Sequence, residues 1–514
     1  MGKFTPKKPQ KPKASSKKKE PETFDDFMEE AIHLEEQGER YRTGERAERY
    51  YVKAAEMYGK AFSLNDKDAD CVYNWGRVLF LLVDFLSSHA TPEEKLTKVD
   101  ASIEKFRIAL DLEPNKSDAQ FNLAQALHQR SEILQDTTEI DNAYSASAMA
   151  LQEAMTIFDQ LYSIQEKEYM ELHAPPSPAE EEQEEEKEET QEDIEDKAQG
   201  RQEFTTATRV EATTEYSLIE TLLSTAETMS TMGSMLASFP ASMDLFSRAK
   251  AKLALAEEWY EKMPPSSPED PEVEKQKKAA RVQINLKEAA TYAAMADRTV
   301  IASNNVDNRL FDRAIERLDE IIQQYDPRHV EAMCDKGDVL TSYGQALLDI
   351  ANKKQVPLVP EKNGKEIWNL FSAATKSFQS ALAIESKNLR ILNKMGDLSL
   401  LRAKLPLPVA ERNRLQLLKN AEFYYKHAVE VNKEVLTSGY IGWAMSEWAL
   451  EEWADVKEKK ENAIKIIQVW IKRGGSGSLF RSLAEDNDVW DEEFVQFIIE
   501  HFFNEEDSEE EESE

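Results

Sequence analysis

Two short segments place a carboxylate three residues before an aromatic ring: Asp70 before Tyr73, and Asp118 before Phe121. On a helix, residues three apart share a face, so each pair sets a negative charge beside a π-surface. That combination suits a lysine or arginine side chain, through charge steering and cation–π contact. The surrounding segments 70–79 (Asp-Cys-Val-Tyr-Asn-Trp-Gly-Arg-Val-Leu) and 118–127 (Asp-Ala-Gln-Phe-Asn-Leu-Ala-Gln-Ala-Leu) align at an offset of 48 residues. The chemistry therefore recurs with a repeat.

Catalytic chemistry has no comparable signal. The 7 histidines are scattered, with no pair at metal-ligand spacing and no His-Glu-x-x-His helix. His33, His128 and His427 read as surface or groove positions on helices. Cys71 and Cys334 are the 2 cysteines, too few for a disulfide framework or a zinc site, and each reads as a small hydrophobe in a reduced compartment. No Gly-x-x-x-x-Gly-Lys loop is present, and Gly474-Gly-Ser-Gly477 lacks the preceding strand a phosphate cradle needs; it reads as a flexible helix–helix linker. The carboxylates are abundant, but most belong to solvated faces and do not make an acid/base pair. A non-enzymatic chain without cofactor or metal is expected, the remaining alternative being a helical enzyme with a site in the chain's middle.

The elements that carry these residues are helical almost throughout. Apolar residues recur three and four apart in 101–112, 313–325 and 371–384, and no segment sustains a period-two alternation. One series repeats: Ala54, Tyr58, Ala61; Ser102, Phe106, Ala109; Ala314, Leu318, Ile321; Ala374, Phe378, Ala381; Ala421, Tyr425, Ala428. Preceding helices carry a small residue at a crossing point: Gly38, Gly76, Ala124, Gly337 and Gly396. This pattern resembles the tetratricopeptide repeat, over most of residues 27–165 and 310–435. The resemblance implies an all-α fold, a TPR-like helical-hairpin solenoid with expanded, irregular repeats and a concave groove lined by first helices. The family period is broken by an insertion at 87–98. Residues 205–300 match only as long helices, at about 205–236, 243–262 and 271–303, with a break at Pro264-Pro-Ser-Ser-Pro268. Seven or eight helix pairs are expected, ending in a Trp-rich final pair and cap.

Charge sets the partner class. The 514 residues hold 98 Asp+Glu against 64 Lys+Arg, a net charge of -34. Residues 180–197 contribute -10, residues 505–514 contribute -8, and the lysines of residues 1–19 contribute +8, leaving -24 on the body. The expected organisation is a Lys/Pro-rich disordered tail (1–22), an N-terminal repeat block (23–173), a disordered acidic insertion (174–202) and long helices continuing the solenoid (203–304). A C-terminal repeat block (305–437), a Trp-rich cap (438–504) and a disordered acidic tail (505–514) follow. So acidic a chain repels nucleic acid and anionic membrane, and no direct DNA binding and no membrane association are expected. The N-terminal segment has no apolar signal core. Its lysines read as a nuclear import signal, a solubilising arm or an RNA contact, giving an expected location in the nucleus and/or cytoplasm.

The resemblance also implies a specific test. Co-chaperone members of this family clamp the C-terminal carboxylate of Hsp70 or Hsp90 with cations and asparagines on first helices. Aligned on the small crossing residues, the expected first-repeat Lys and Asn are Glu35 and Glu39, Asn74 matches, and the third-repeat Lys and Arg are Asp118 and Asn122. Acids in place of cations repel a carboxylate, so the clamp is not matched. The opposite preference follows. The groove candidates are Glu35, Glu39, Asp70, Tyr73, Asn74, Arg77, Asp118, Phe121, Asn122, Asp338, Asn393 and Asp397, expected to face a Lys/Arg-rich partner segment. The expected function is a protein-binding solenoid that escorts or chaperones a basic protein of the ribosomal or histone type. The alternative is a scaffold or regulatory subunit in translation or RNA metabolism.

Overall fold

The alternation of buried small and large residues at helical spacing builds the molecule from helix pairs. In a computed structural model the described residues are 21–42, 44–86, 90–136, 140, 142–174, 213–265, 271–431, 438–485, 487 and 489–503. The N-terminal lysines, most of the acidic insertion and the acidic C-terminal tail lie outside them. Among the described residues there are helices and turns and no strand, as the all-α helical-hairpin reading expects. The chain divides into two compact units, 1–147 and 148–514.

The first unit contains α1 (Phe24–Tyr41), α2 (Glu45–Leu64), α3 (Ala69–Leu81), α4 (Pro92–Leu112) and α5 (Ser117–Gln135); the division falls within α6 (Ala143–Leu172). Helix α1 pairs with α2 and α3 with α4, and each pair packs on the next. Thr23 and Thr91 form capping boxes with Asp26 and Glu94, and Asp68 caps α3 by accepting from the Cys71 amide at 2.8 Å. Each such cap contributes about 1 kcal/mol. The second half of the 87–98 insertion belongs to α4, because Thr91 and Pro92 start that helix within it.

The second unit contains α7 (Glu215–Met235), α8 (Phe239–Lys262), α9 (Pro271–Ser303), α10 (Asn308–Glu320) running into a π-helical turn (Ile321–Tyr325), α11 (Val330–Lys353), α12 (Asn363–Ile384), α13 (Leu389–Lys404) and α14 (Pro408–Val431). Then come α15 (Ser438–Glu452), α16 (Lys459–Lys472), α17 (Gly477–Glu485) and α18 (Glu492–Phe502). Among the described residues the Trp-rich segment thus holds four helices, where a final pair and cap were expected. The Gly474–Gly477 linker breaks the chain after α16, and Asp491, accepting from the Glu493 amide at 3.0 Å, starts α18. Trp448, Trp470 and Trp490 are buried in this core with Phe480, Phe494 and Ile498.

Close approach of paired helices depends on the small crossing residues. A Cβ on Gly76 would lie 2.9 Å from Phe106, and one on Gly396 would lie 2.6 Å from the Tyr425 ring. Phe106 and Tyr425 are fully enclosed, and burying each aromatic ring contributes about 2–3 kcal/mol. The crossing glycine makes that burial sterically available.

Candidate protein-binding site

In the first unit the structure brings the groove candidates together as pairs between successive first helices. Glu35 of α1 is only 4% exposed; one carboxylate oxygen accepts from the Tyr58 hydroxyl at 2.9 Å and the other pairs with Arg77 of α3. Burial raises the Glu35 carboxyl above its ordinary range, and the Arg77 charge and the Tyr58 bond oppose that rise. Asp70 of α3 pairs with Lys116 at the start of α5, and the Lys116 ammonium lies 5.6 Å from the Tyr73 ring centroid. The Asn122 amide donates to the Tyr73 hydroxyl at 3.1 Å.

These contacts neutralise two of the groove carboxylates, Glu35 and Asp70, from within the fold. A cation from the next repeat occupies the position in which a partner's lysine was expected at Glu35 and Asp70. Glu39 and Asp118 are exposed, while Asn74 and Phe121 are half-buried. Glu35 thereby joins one repeat to the next, because its oxygens are directed at Tyr58 and Arg77.

The second unit repeats the arrangement once and then departs from it. Asp338 of α11 pairs with Lys394 of α13, 56 residues away in the chain. Asn393 follows a different course: its side-chain oxygen is buried and has no hydrogen-bond donor among the described residues. Asp397, one turn after Lys394, accepts from the Tyr425 hydroxyl and is hydrogen-bonded by the Asn487 side chain. Burial pushes its carboxyl up to about 6 against those bonds and the Lys394 charge.

Asp397 opens onto a cleft of about 460 Å³ between first helices α9, α11 and α13. Its walls carry Asp297, Val300 and Ile301 from α9, Thr341, Ser342, Gln345, Ala346 and Asp349 from α11, and Leu401 from α13; Asn487 and Val489 close one end. The surrounding protein pushes the Asp297 carboxyl up to about 6, although the residue is open to solvent. Among the described residues Asp297 has no ion-pair or hydrogen-bond partner. Gln345 donates to Asp349 at 2.7 Å, which fixes that carboxylate in the wall. Ile301 is 67% exposed.

A cleft with three carboxylates and aliphatic walls can hold a long cationic side chain, its stem on the apolar atoms and its head on the acids. Asp297 and Asp349 were missed in the sequence. Asp297 lies where the repeat pattern fades, and Asp349 lies three turns beyond the Gly337 crossing point. The available signal was Asp349 on the same first helix as Asp338, read further along its length.

Other chemistry is weakly supplied. Among the described residues no cluster of His, Cys, Asp and Glu could hold a metal ion. Burial pushes the Cys71 thiol up to about 12 and the Cys334 thiol up to about 11, so both stay protonated and unreactive. His128 is buried, with Nε2 3.9 Å from Glu132, rather than a surface or groove residue. Among the described residues no helix is long and apolar enough to cross a membrane.

Residues 49–175, under half of the chain, match the family described as plant specific mitochondrial import receptor subunit TOM20. The chain is 26% identical over 429 residues to UPF0656 protein C926.02 of Schizosaccharomyces pombe, covering 81% of this chain and 86% of that one. Among solved structures it is similar to the hypoxic regulator of sterol synthesis Nro1, described as a nuclear import adaptor, at 11% identity. That match covers 79% of this chain and 89% of the other, with a TM-score of 0.28. The P58(IPK) TPR domain is similar at 11% identity over 87% and 99% of the two chains, with a TM-score of 0.19. Scores this low carry no argument, and the helical-hairpin architecture rests on the packing described above.

Proposed function

We propose that this chain is a non-enzymatic protein-binding scaffold that escorts a basic protein, gripping Lys or Arg side chains in the cleft between α9, α11 and α13. The observation that carries this reading is Asp297, an unpartnered carboxylate in a wall that also holds Asp349 and Asp397. Elsewhere on the first helices Glu35, Asp70 and Asp338 have cations supplied from within. In this cleft Asp297 has none, so an arriving cation gains attraction without displacing an internal partner from it. The body charge adds long-range steering of a basic client and repels nucleic acid competing for the protein. A client of ribosomal-protein or histone type, met in the nucleus or cytoplasm, fits that chemistry.

Co-purification from lysate, washed at about 50 mM and about 300 mM salt, tests the reading, because such contacts between exposed charges are screened over this range. Basic proteins are expected at low salt, depleted at high salt, and reduced about tenfold in Asp297→Asn/Asp349→Asn. A stoichiometric partner that resists salt and ignores both substitutions would overturn the proposal in favour of a static scaffold.

A further inference from the structure

The last helix pair closes at one end only. There Gly477, at the start of α17, faces the Phe503 ring just past α18, a Cβ on it lying 3.1 Å from that ring, much as Gly337 receives Phe378. Further along, Arg481 and Glu485 of α17 and Val495 and Ile499 of α18 line an opening between the two helices. The inner faces remain anchored, since Phe480, Phe494 and Ile498 are fully buried in the tryptophan core. What remains between the helices is a groove of about 490 Å³, with Ala484, Trp490, Val495 and Ile499 as apolar lining. That volume falls in the ~300–1,000 Å³ range of ligand-holding clefts.

Its rim selects an occupant. Glu485 and Glu492 stand along the lining with Gln496, and among the described lining residues Arg481 is the one cation. Neither glutamate forms an ion pair among the described residues. Lys404, whose charge senses Glu492, is committed to Asp491 at 3.6 Å and to the Val489 carbonyl at 2.8 Å. Glu493 and Glu500 extend the negative charge along α18. The walls are two helices with no strand edge, so the packing that fits is a third helix laid in the groove with apolar residues at i and i+4.

We propose that the groove between α17 and α18 docks an amphipathic helix of a partner protein, with a short apolar stripe flanked by Lys or Arg. This rests on the basic-client reading and adds to it a second contact, apolar at its centre, at the end of the repeat stack.

The test uses the full chain and a fluorescein-labelled 16-residue Leu/Lys/Ala helical peptide, read by fluorescence anisotropy at 150 mM salt. Control peptides carry Ser for Leu, or Glu for Lys. The Leu/Lys peptide is expected to bind at least tenfold more tightly than either control. Val495→Glu should weaken it about tenfold, and Glu485→Gln/Glu492→Gln should weaken it severalfold with a shallower salt dependence. Circular dichroism checks folding; if Val495→Glu is perturbed, the surface change Gln496→Arg should weaken binding by a different route, setting a cation against the peptide's lysines. Equal binding by wild type and a folded groove variant, or by the Leu-free control, would overturn the proposal. So would a dimer dissolved by Val495→Glu, which would make the occupant a second copy. The two readings fail separately. Basic proteins that still co-purify with groove variants would leave the cleft standing, whereas a groove that binds peptide in a chain retaining no basic proteins would overturn the client reading.

Discussion

Tyr425 donates its hydroxyl to Asp397 while its ring occupies the space that Gly396 leaves open. One side chain therefore sets how closely α13 and α14 approach and also positions a carboxylate at the edge of the acid-lined cleft. Packing and candidate binding chemistry are joined at that contact.

Substitution Gly396→Ala tests the packing half. The new Cβ would lie 2.6 Å from the Tyr425 ring, inside any ordinary contact. Overpacking of this kind costs about 1–3 kcal/mol, so the free energy of local opening should fall by that amount and hydrogen exchange in α13 and α14 should quicken about fivefold or more. Unchanged exchange in both helices would show that α13 and α14 separate freely.

Asp397→Asn tests the electrostatic half and has a defined sign. The folded carboxyl titrates at about 6 against an ordinary value of 3.8. Between those values the folded state holds more protons than the unfolded one, so this group makes stability fall as pH rises from about 4 to 6. Asparagine retains an acceptor for Tyr425 and cannot ionise. The variant should therefore be more stable than wild type at pH 7, by up to about 3 kcal/mol for a shift of this size, and equal to it near pH 4. Thermal melts across pH 4–7 read this directly; parallel curves would refute it.

Arg77→Met should destabilise the first unit. It leaves the Glu35 carboxylate buried with Tyr58 alone, and losing one partner of a fully buried pair costs about 3–5 kcal/mol. The Arg77 side chain is 37% exposed, so a smaller loss of about 1–3 kcal/mol is expected. Hydrogen exchange should quicken in α1, α2 and α3. Adding Glu35→Gln should restore much of the protection, and unchanged exchange in the single variant would mean that the pair contributes nothing.

Binding of a Lys/Arg-rich peptide should strengthen between pH 5 and pH 7. Asp297 and Asp397 titrate at about 6, so their negative charge develops over that interval. Calorimetry should show a severalfold gain for wild type and a flatter profile for Asp297→Asn. A profile that is flat in wild type would place the peptide elsewhere.

The fold was legible because its signals are local. A helix announces itself within a few turns, through the Ala54, Tyr58, Ala61 spacing and its counterparts. The crossing glycines were legible too, since a residue without a Cβ at a fixed place in each first helix reflects a ring arriving from the second. The Trp-rich end was less so. A short linker and an aspartate cap subdivide it into four helices, and hydrophobicity alone does not count helices in so apolar a stretch.

The candidate site divided differently. Composition and position determined that carboxylates line the first helices, and the structure places Glu35, Asp70, Asp338 and Asp397 on them. Whether such a carboxylate is neutralised depends on which cation lies opposite, and Arg77, Lys116 and Lys394 reach their acids from 42, 46 and 56 residues away. Asp297 and Asp349 share a cleft because α9 and α11 are both first helices of stacked pairs. Helical periodicity is a property of neighbours in sequence, so the sequence by itself determined the helices and the sign of their charge. Pairing of charges is a property of neighbours in space, and only the tertiary structure decided which acids meet an internal cation and which do not.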